Sequence, residues 1–138
     1  MVAISIGNKD TSAPSTLLIV DDQPFFVDLH TNLLRPKGYT VKGAGSPAEG
    51  FAEAKRLQPD LILLDVEMPG EDGFSLCRRL KADPATASIP IIMLTATLNP
   101  KLTELAFKAG AEATVLKSMN VEKLLNLIKI VLETERAS

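Results

Sequence analysis

The sequence predicts one α/β domain with a parallel sheet, because short apolar segments and helical segments follow each other in turn five times. The apolar segments are four to six residues long and flanked by turn residues. Most lack polar–apolar alternation, which is typical of strands buried on both faces. They are LLIV (17–20), YTVKGA (39–44), LILL (61–64), IIML (91–94) and ATVL (113–116). YTVKGA is the most polar, so we expect it nearest an edge of the sheet.

The helical segments carry recognisable start and stop signals. The first is predicted over 23–37, with Asp22 as its N-cap and Pro24 in its first turn, where a missing N–H has no cost. The second opens at Ser46-Pro47. The third follows Asp72-Gly73 and stops near Asp83-Pro84. The fourth spans about Pro100 to Lys108 before Gly110, and the fifth runs from after Asn120 to about Glu135. Gly70 and Gly73 are expected at positive φ in the turn after the third strand.

The first fifteen residues have a different composition from the rest. They are rich in Ser, Thr, Asn and Pro, which predicts a flexible tail over 1–15 and a folded domain over 16–138. The alternation of Val2, Ile4 and Ile6 leaves weak pairing at a sheet edge as an alternative.

Composition excludes several kinds of function. A net charge of -2 and a pI of 5.4 argue against direct binding of nucleic acid. No apolar run approaches the ~20 residues that span a bilayer, so no membrane partner is expected. Cys77 is the only cysteine, which fits a reducing cytoplasm, and we expect it in the core. The single histidine, His30, excludes a multi-histidine metal site and is interpreted as a packing or surface residue rather than a phosphate carrier.

Polar residues follow four of the five predicted strands at their carboxyl ends, where parallel sheets bind ligands. Asp21 and Asp22 follow the first strand, Asp65 the third, Thr95 the fourth and Lys117 the fifth. Taken singly, these residues have simpler explanations as a helix cap, a turn carboxylate bonded to the amides of 70–73, a strand end and a solvated amine. Together they predict three carboxylates, a hydroxyl and an ammonium at one edge of the sheet.

Electrostatics decides what such an edge requires. Two carboxylates about 4 Å apart repel by roughly 4 kcal/mol at an effective dielectric near 20, which is large beside a total stability of about 5–15 kcal/mol. Lys117 compensates one charge only. A hard divalent cation with oxygen ligands would compensate the rest, and Mg²⁺ commonly takes one or two carboxylates plus waters. A carboxylate can also attack phosphorus to give an acyl phosphate. We therefore predict that Asp65 is phosphorylated, with Thr95 and Lys117 contacting the phosphoryl oxygens.

Four motifs in this order and spacing resemble the receiver domain of two-component response regulators. They are VDD (20–22), LILLDVEMPGEDG (61–73), MLTA (93–96) and VLK (115–117). The resemblance covers about residues 16–134. It implies a flavodoxin-like, doubly wound five-stranded sheet of order 2-1-3-4-5 with five helices.

The resemblance also implies roles for individual residues. Asp65 is the phosphoacceptor, Asp22 a direct Mg²⁺ ligand, Asp21 a ligand through water, and the backbone carbonyl of Glu67 a further ligand. Thr95 and Lys117 contact the phosphate. The implied donor is a histidine kinase or a histidine phosphotransfer protein. The implied function is a cytoplasmic signalling switch that catalyses only its own phosphorylation and dephosphorylation, and is not a metabolic enzyme.

Three residues depart from the usual receiver pattern. Ser118 stands where most receivers have a proline after the lysine, joined to it by a cis bond. A cis bond before a non-proline residue costs about 2.5–4 kcal/mol, so we expect the Lys117–Ser118 bond to be trans. A trans bond puts the placement of Lys117 in doubt. Thr114 replaces a common aromatic residue, so we expect loop and helix shifts rather than an aromatic swing. Glu67 is either a solvated loop residue or one that tunes the lifetime of the acyl phosphate.

The last helix is more apolar than one buried face requires. Its predicted buried stripe is Val121, Leu124, Leu125, Ile128, Val131 and Leu132. Leu127 and Ile130 fall outside this stripe. They suggest a contact face for a second copy or an effector, formed by the fourth and fifth helices and the fifth strand.

Two other functions are weighed against the switch. One is a receiver-like docking module that no longer turns over phosphate, which the Ser118 and Thr114 departures leave open. The other is a phosphatase with an Asp nucleophile. Such enzymes carry a second Asp two residues after the first, whereas this chain has Glu67 there.

Overall fold

The computed structural model describes residues 14–137, which form a five-stranded parallel sheet between two layers of helices. The strands are β1 Thr16–Val20, β2 Thr40–Ala44, β3 Leu61–Asp65, β4 Ile91–Thr95 and β5 Ala113–Leu116. Their order, β2-β1-β3-β4-β5, confirms the predicted topology and places YTVKGA at an edge. The helices are α1 Pro24–Leu34, α2 Pro47–Leu57, α3 Gly73–Ala82, α4 Pro100–Ala109 and α5 Val121–Ala137. A 3₁₀ turn, Arg35–Lys37, replaces the predicted end of α1.

The predicted tail lies mostly outside the described residues, and so do Val2, Ile4 and Ile6. Of its last two residues, Pro14 is exposed and Ser15 is buried. The carbonyl of Ser15 accepts a hydrogen bond from the Thr40 amide at 2.9 Å, which extends the pairing of β1 with β2 by one residue. Among the helices of the described residues, none has the length and apolar character needed to cross a membrane.

Side-chain caps begin four of the helices. Ser46 accepts from the Glu49 amide, Asp72 from the Ser75 amide, Asn99 from the Leu102 amide and Asn120 from the Glu122 amide. Each cap satisfies a backbone donor that has no partner within the helix.

The prediction that Asp22 caps α1 is wrong. The N-cap is Gln23, whose side chain makes no capping bond. The amide of Gln23 donates instead to Oδ1 of Asp21 at 2.9 Å, because Asp21 ends the buried strand beside the first turn of the helix. The helix start therefore engages Asp21 and not Asp22.

Two apolar layers cover the two faces of the sheet. One lies under α2, α3 and α4 and includes Leu18, Ile62 and Met93; the other lies under α1 and α5 and includes Leu17 and Leu63. The predicted stripe of α5 packs into the second layer, with Val121 only partly buried. Its members in the core are Leu124, Leu125, Ile128, Val131 and Leu132.

The two residues predicted outside the α5 stripe differ. Leu127 is partly buried against the second layer, so its assignment to an exposed face is wrong; the apolar arc of the helix is wider than a single stripe. Ile130 is 58% exposed, as predicted.

Cys77 and His30 are confirmed as packing residues. Cys77 lies on the buried face of α3, its Sγ lies 3.4 Å from the Ala109 carbonyl, and burial raises the pKa of its thiol to about 11. His30 is buried on α1 with Nδ1 at 2.9 Å from the Phe26 carbonyl, and burial lowers the pKa of its imidazole.

The turn after β3 uses its two glycines for different reasons. Gly70 has a φ of 85°, as predicted. Gly73 does not have a positive φ, so that prediction is wrong, and its role is steric. A Cβ at Gly73 would collide with the carbonyl oxygen of Asp65 and lie 2.9 Å from the Cα of Val66. The start of α3 therefore packs directly on the backbone that carries Asp65.

We expect Gly73→Ala to lower the free energy of unfolding by roughly 2–4 kcal/mol, because the added methyl group must displace main chain rather than a flexible side chain. Gly45→Ala is the matched control, since its Cβ would make only an ordinary 3.7 Å contact with Oε1 of Glu49. Urea denaturation measures both. Equal stabilities of the two variants would contradict the close approach of α3 to β3.

Candidate functional site

The sheet brings the predicted polar residues together at the carboxyl ends of β1, β3, β4 and β5. Asp65 and Thr95 are the last residues of β3 and β4, while Asp21 and Lys117 directly follow β1 and β5. Hydrogen bonds extend the strand pairing to these residues: the Asp21 amide donates to Ala44 and the Lys117 amide to Thr95. The positions of these side chains therefore follow from the backbone ladder.

Three carboxylates form the centre of the site. Oxygens of Asp21, Asp22 and Asp65 all lie within 4.8 Å of one another. Asp21 is 2% exposed and Asp65 is 1% exposed, whereas Asp22 is partly buried. Oδ1 of Asp65 accepts the Glu67 amide at 3.2 Å, but Oδ2 has no hydrogen-bond partner among the described residues. The amides of 70–73 therefore do not satisfy Asp65 as a turn carboxylate.

The electrostatics of Asp65 reflect this crowding. Burial, followed by the negative charge of Asp21, raises the pKa of Asp65 to about 7, although Lys117 opposes the shift. Burial costs a charged group its hydration, and a neighbouring like charge adds repulsion. A change that lowers the negative charge of the site, such as protonation of Asp65, is therefore energetically favourable.

Lys117 is the one cation in direct contact with the carboxylates among the described residues. Its Nζ lies 2.9 Å from Oδ2 of Asp21 and 3.2 Å from Oδ1 of Asp65. Burial alone lowers the pKa of Lys117, but contact with Asp21 and the charges of both carboxylates outweigh it and raise the pKa. The bond to Ser118 is trans, as predicted. The doubt over the lysine's placement is resolved, because its ammonium still reaches both carboxylates.

Thr95 is fully buried, and its hydroxyl faces a second acidic group. Its Oγ1 lies 2.8 Å from Oε2 of Glu67 and 2.8 Å from the carbonyl of Thr97. A hydroxyl has one proton to donate, so these two acceptors compete for it. Glu67 is exposed in its loop, as the interpretation of a solvated residue expects, but its carboxylate also contacts Thr95, so both interpretations of Glu67 stay open. The sequence gives no signal for this contact, because it depends on the side-chain rotamers of Glu67, in the loop after β3, and of Thr95, at the end of β4.

A cleft of about 410 Å³ opens beside the carboxylates. Its lining residues are Gln23, Phe26, Glu67, Ala96, Lys117 and Ser118. Lys117 joins this cleft to the acidic cluster, because its ammonium contacts Asp21 and Asp65.

A family model described as the response regulator receiver domain matches residues 17–129. The chain belongs to this family. It is a receiver domain of two-component systems, and the Asp-nucleophile phosphatase is set aside.

Individual relatives agree with the family match. The chain is 40% identical over 116 residues to the DNA-binding dual master transcriptional regulator RpaA of Synechocystis sp., covering 84% of this chain and 48% of that protein. It thus spans about half the length of this relative.

Solved structures agree as well. A CheY-like receiver domain protein from Methanospirillum hungatei has a TM-score of 0.83 and 27% identity over 90% of this chain and 98% of its own. The signal receiver domain of a histidine kinase from Syntrophus aciditrophicus has a TM-score of 0.79 and 31% identity, over 87% of this chain and 91% of its own.

Without divalent metal, we expect Asp65→Asn to raise the free energy of unfolding by about 1–3 kcal/mol above pH 7, because it removes a buried charge from the cluster. The pKa of Asp65 is raised on folding, so its penalty is fully present above about 7 and is lost as the pH falls toward 3.8. The gain should shrink over the same interval. Asp28→Asn, on the exposed side of α1, is the control. Urea denaturation in EDTA at several pH values measures this, and a destabilised Asp65→Asn at pH 7.5 would contradict it.

Proposed function

We propose that the chain is a phosphorylation-dependent switch in which Asp65 accepts a phosphoryl group. The observation that carries this proposal is the state of Oδ2 of Asp65: it is buried, has no hydrogen-bond partner among the described residues, and belongs to a carboxylate already contacted by Lys117. A purely structural carboxylate in such surroundings would have its oxygens satisfied. A nucleophile needs one that is free.

The donor set fits Mg²⁺. Three carboxylates offer only hard oxygen ligands, and Lys117 leaves the cluster with a net negative charge. We assign Asp22 and Asp65 as direct ligands, Asp21 as a ligand through water and the Glu67 carbonyl as the remaining protein ligand. When bound, the cation supplies positive charge that neutralises phosphoryl oxygens.

The residues of the chain perform the transfer. An Asp65 carboxylate oxygen attacks phosphorus, the P–N bond of a phosphohistidine donor breaks, and the leaving imidazole nitrogen takes up a proton. Lys117, 3.2 Å from Asp65, can pair with one phosphoryl oxygen. Thr95 can donate its hydroxyl proton to another if it leaves Glu67 and Thr97. Attack of water on phosphorus later breaks the bond between the Asp65 oxygen and phosphorus, which releases inorganic phosphate and restores the carboxylate.

The family suggests the partners. The donor is a histidine kinase or a histidine phosphotransfer protein, and the phosphorylated form acts through a second copy or an effector. The exposed side chain of Ile130 supports such a contact on the face of α4, β5 and α5. With Thr114 in β5, the signal reaches this face through loop and helix shifts, since no aromatic rotor stands there.

Acetyl phosphate with Mg²⁺ tests the proposal directly. Intact mass spectrometry should show one added phosphoryl group on the wild type, which EDTA and Asp65→Asn each abolish. An unmodified wild-type chain under these conditions would contradict the switch and favour the docking module.

Glu67→Ala should increase the phosphorylated fraction at steady state by about three- to tenfold, because a charged acceptor no longer competes for the Thr95 proton. Removing its charge also lessens repulsion of the incoming phosphoryl group. Glu71→Ala is the matched control from the same loop, since Glu71 contacts Ser75 and Arg79. A phosphorylated fraction that stays unchanged or falls in Glu67→Ala would contradict this role of Glu67.

A further inference from the structure

The Lys117 ammonium has a third close neighbour besides the two carboxylates. Its Nζ lies 4.2 Å from the centroid of the Phe26 ring, within the range of a cation–π contact. Lysine is a long, flexible side chain whose ammonium acts as a point charge without directional preference. The carboxylates of Asp21 and Asp65 attract the ammonium from one side but do not fix its position. The Phe26 ring also contacts the ammonium and so restricts where it can lie.

The Phe26 ring is itself held in place by the elements of the site. Phe26 lies in the first turn of α1, where its amide donates to the Gln23 carbonyl at 3.0 Å. Gln23 in turn donates its own amide to Asp21, which contacts Lys117. Residues 21–26 therefore position both the Asp21 carboxylate and the Phe26 ring, and the Lys117 ammonium contacts both groups.

Aromatic neighbours restrain the ring further. Phe25 packs edge-on against it at 5.3 Å, and the imidazole of His30 stacks with it at 6.4 Å. His30 is buried, and its Nδ1 lies 2.9 Å from the Phe26 carbonyl. Burial lowers the pKa of His30, so the imidazole is neutral near neutral pH and does not repel the ammonium. The ring therefore has a fixed place and presents an electron-rich face to Lys117.

We propose that Phe26 is a positioning residue for phosphoryl transfer, holding the Lys117 ammonium over the carboxylates at the edge of the cleft. The inference rests on the function proposed above, because it assigns Phe26 to the same reaction. Phe26 touches no reacting atom and acts through Lys117. Its ring also lines the cleft by which a phosphoryl group reaches Asp65, so the lysine is retained beside the entry path.

A set of substitutions separates an aromatic role from simple packing. Phe26→Leu keeps an apolar side chain but removes the ring, whereas Phe26→Tyr retains it. Phe107→Leu is the matched control, because Phe107 is 77% exposed on α4 and is not among the aromatic neighbours of Phe26. Melting temperatures with and without EDTA establish that each variant is folded.

The first readout is the position of the lysine in the unphosphorylated chain. The ε-methylene of Lys117, identified by its loss in Lys117→Arg, should show an upfield ring-current shift in ¹H–¹³C spectra. The shift should persist in Phe26→Tyr and Phe107→Leu and disappear in Phe26→Leu. An unchanged resonance in Phe26→Leu overturns the proposal.

The second readout is the rate of phosphorylation by acetyl phosphate and Mg²⁺. Phe26→Leu should slow it by about tenfold, the size expected when a partly desolvated cation–π contact is lost, and Phe26→Tyr should restore most of the rate. Equal rates for wild type and Phe26→Leu overturn the role of Phe26 alone. A wild type that is never phosphorylated overturns the proposed function, and this inference with it.

Discussion

The structure depends on an imbalance of charge at one edge of its sheet. Parallel strands end side by side, so Asp21 and Asp65 are buried next to each other, with Asp22 nearby. Lys117 is the one ammonium in contact with them among the described residues. Buried charge without full compensation opposes folding. In the function that we propose, the same imbalance makes this edge a receptor for a cation and a phosphoryl group.

The fold and the main site residues could be predicted from the sequence for one physical reason. Buried parallel strands are apolar throughout, which sets their limits, and their carboxyl ends share one edge whatever the loops do. Asp21, Asp65, Thr95 and Lys117 sit on or next to those ends, so their meeting follows from the backbone.

The features that could not be predicted depend on rotamers and loop paths. Asp21 and Asp22 are the same residue type, and either could accept a hydrogen bond at the start of α1. The local backbone geometry decides that Asp21 accepts the one from the Gln23 amide. Glycine after a strand suggests positive φ, yet Gly73 is needed for close packing. The contact between Glu67 and Thr95 joins residues 28 positions apart through side chains alone. These details adjust the site, whereas the strand ends create it.

The most direct measurement of the central claim is calorimetric titration of the metal-free chain with Mg²⁺. The charge imbalance predicts one saturable site per chain, with affinity greatly reduced in Asp22→Asn and retained in Glu133→Gln, which changes an exposed carboxylate near the end of α5. Absence of binding at saturating Mg²⁺, or equal affinities in the two variants, would contradict it.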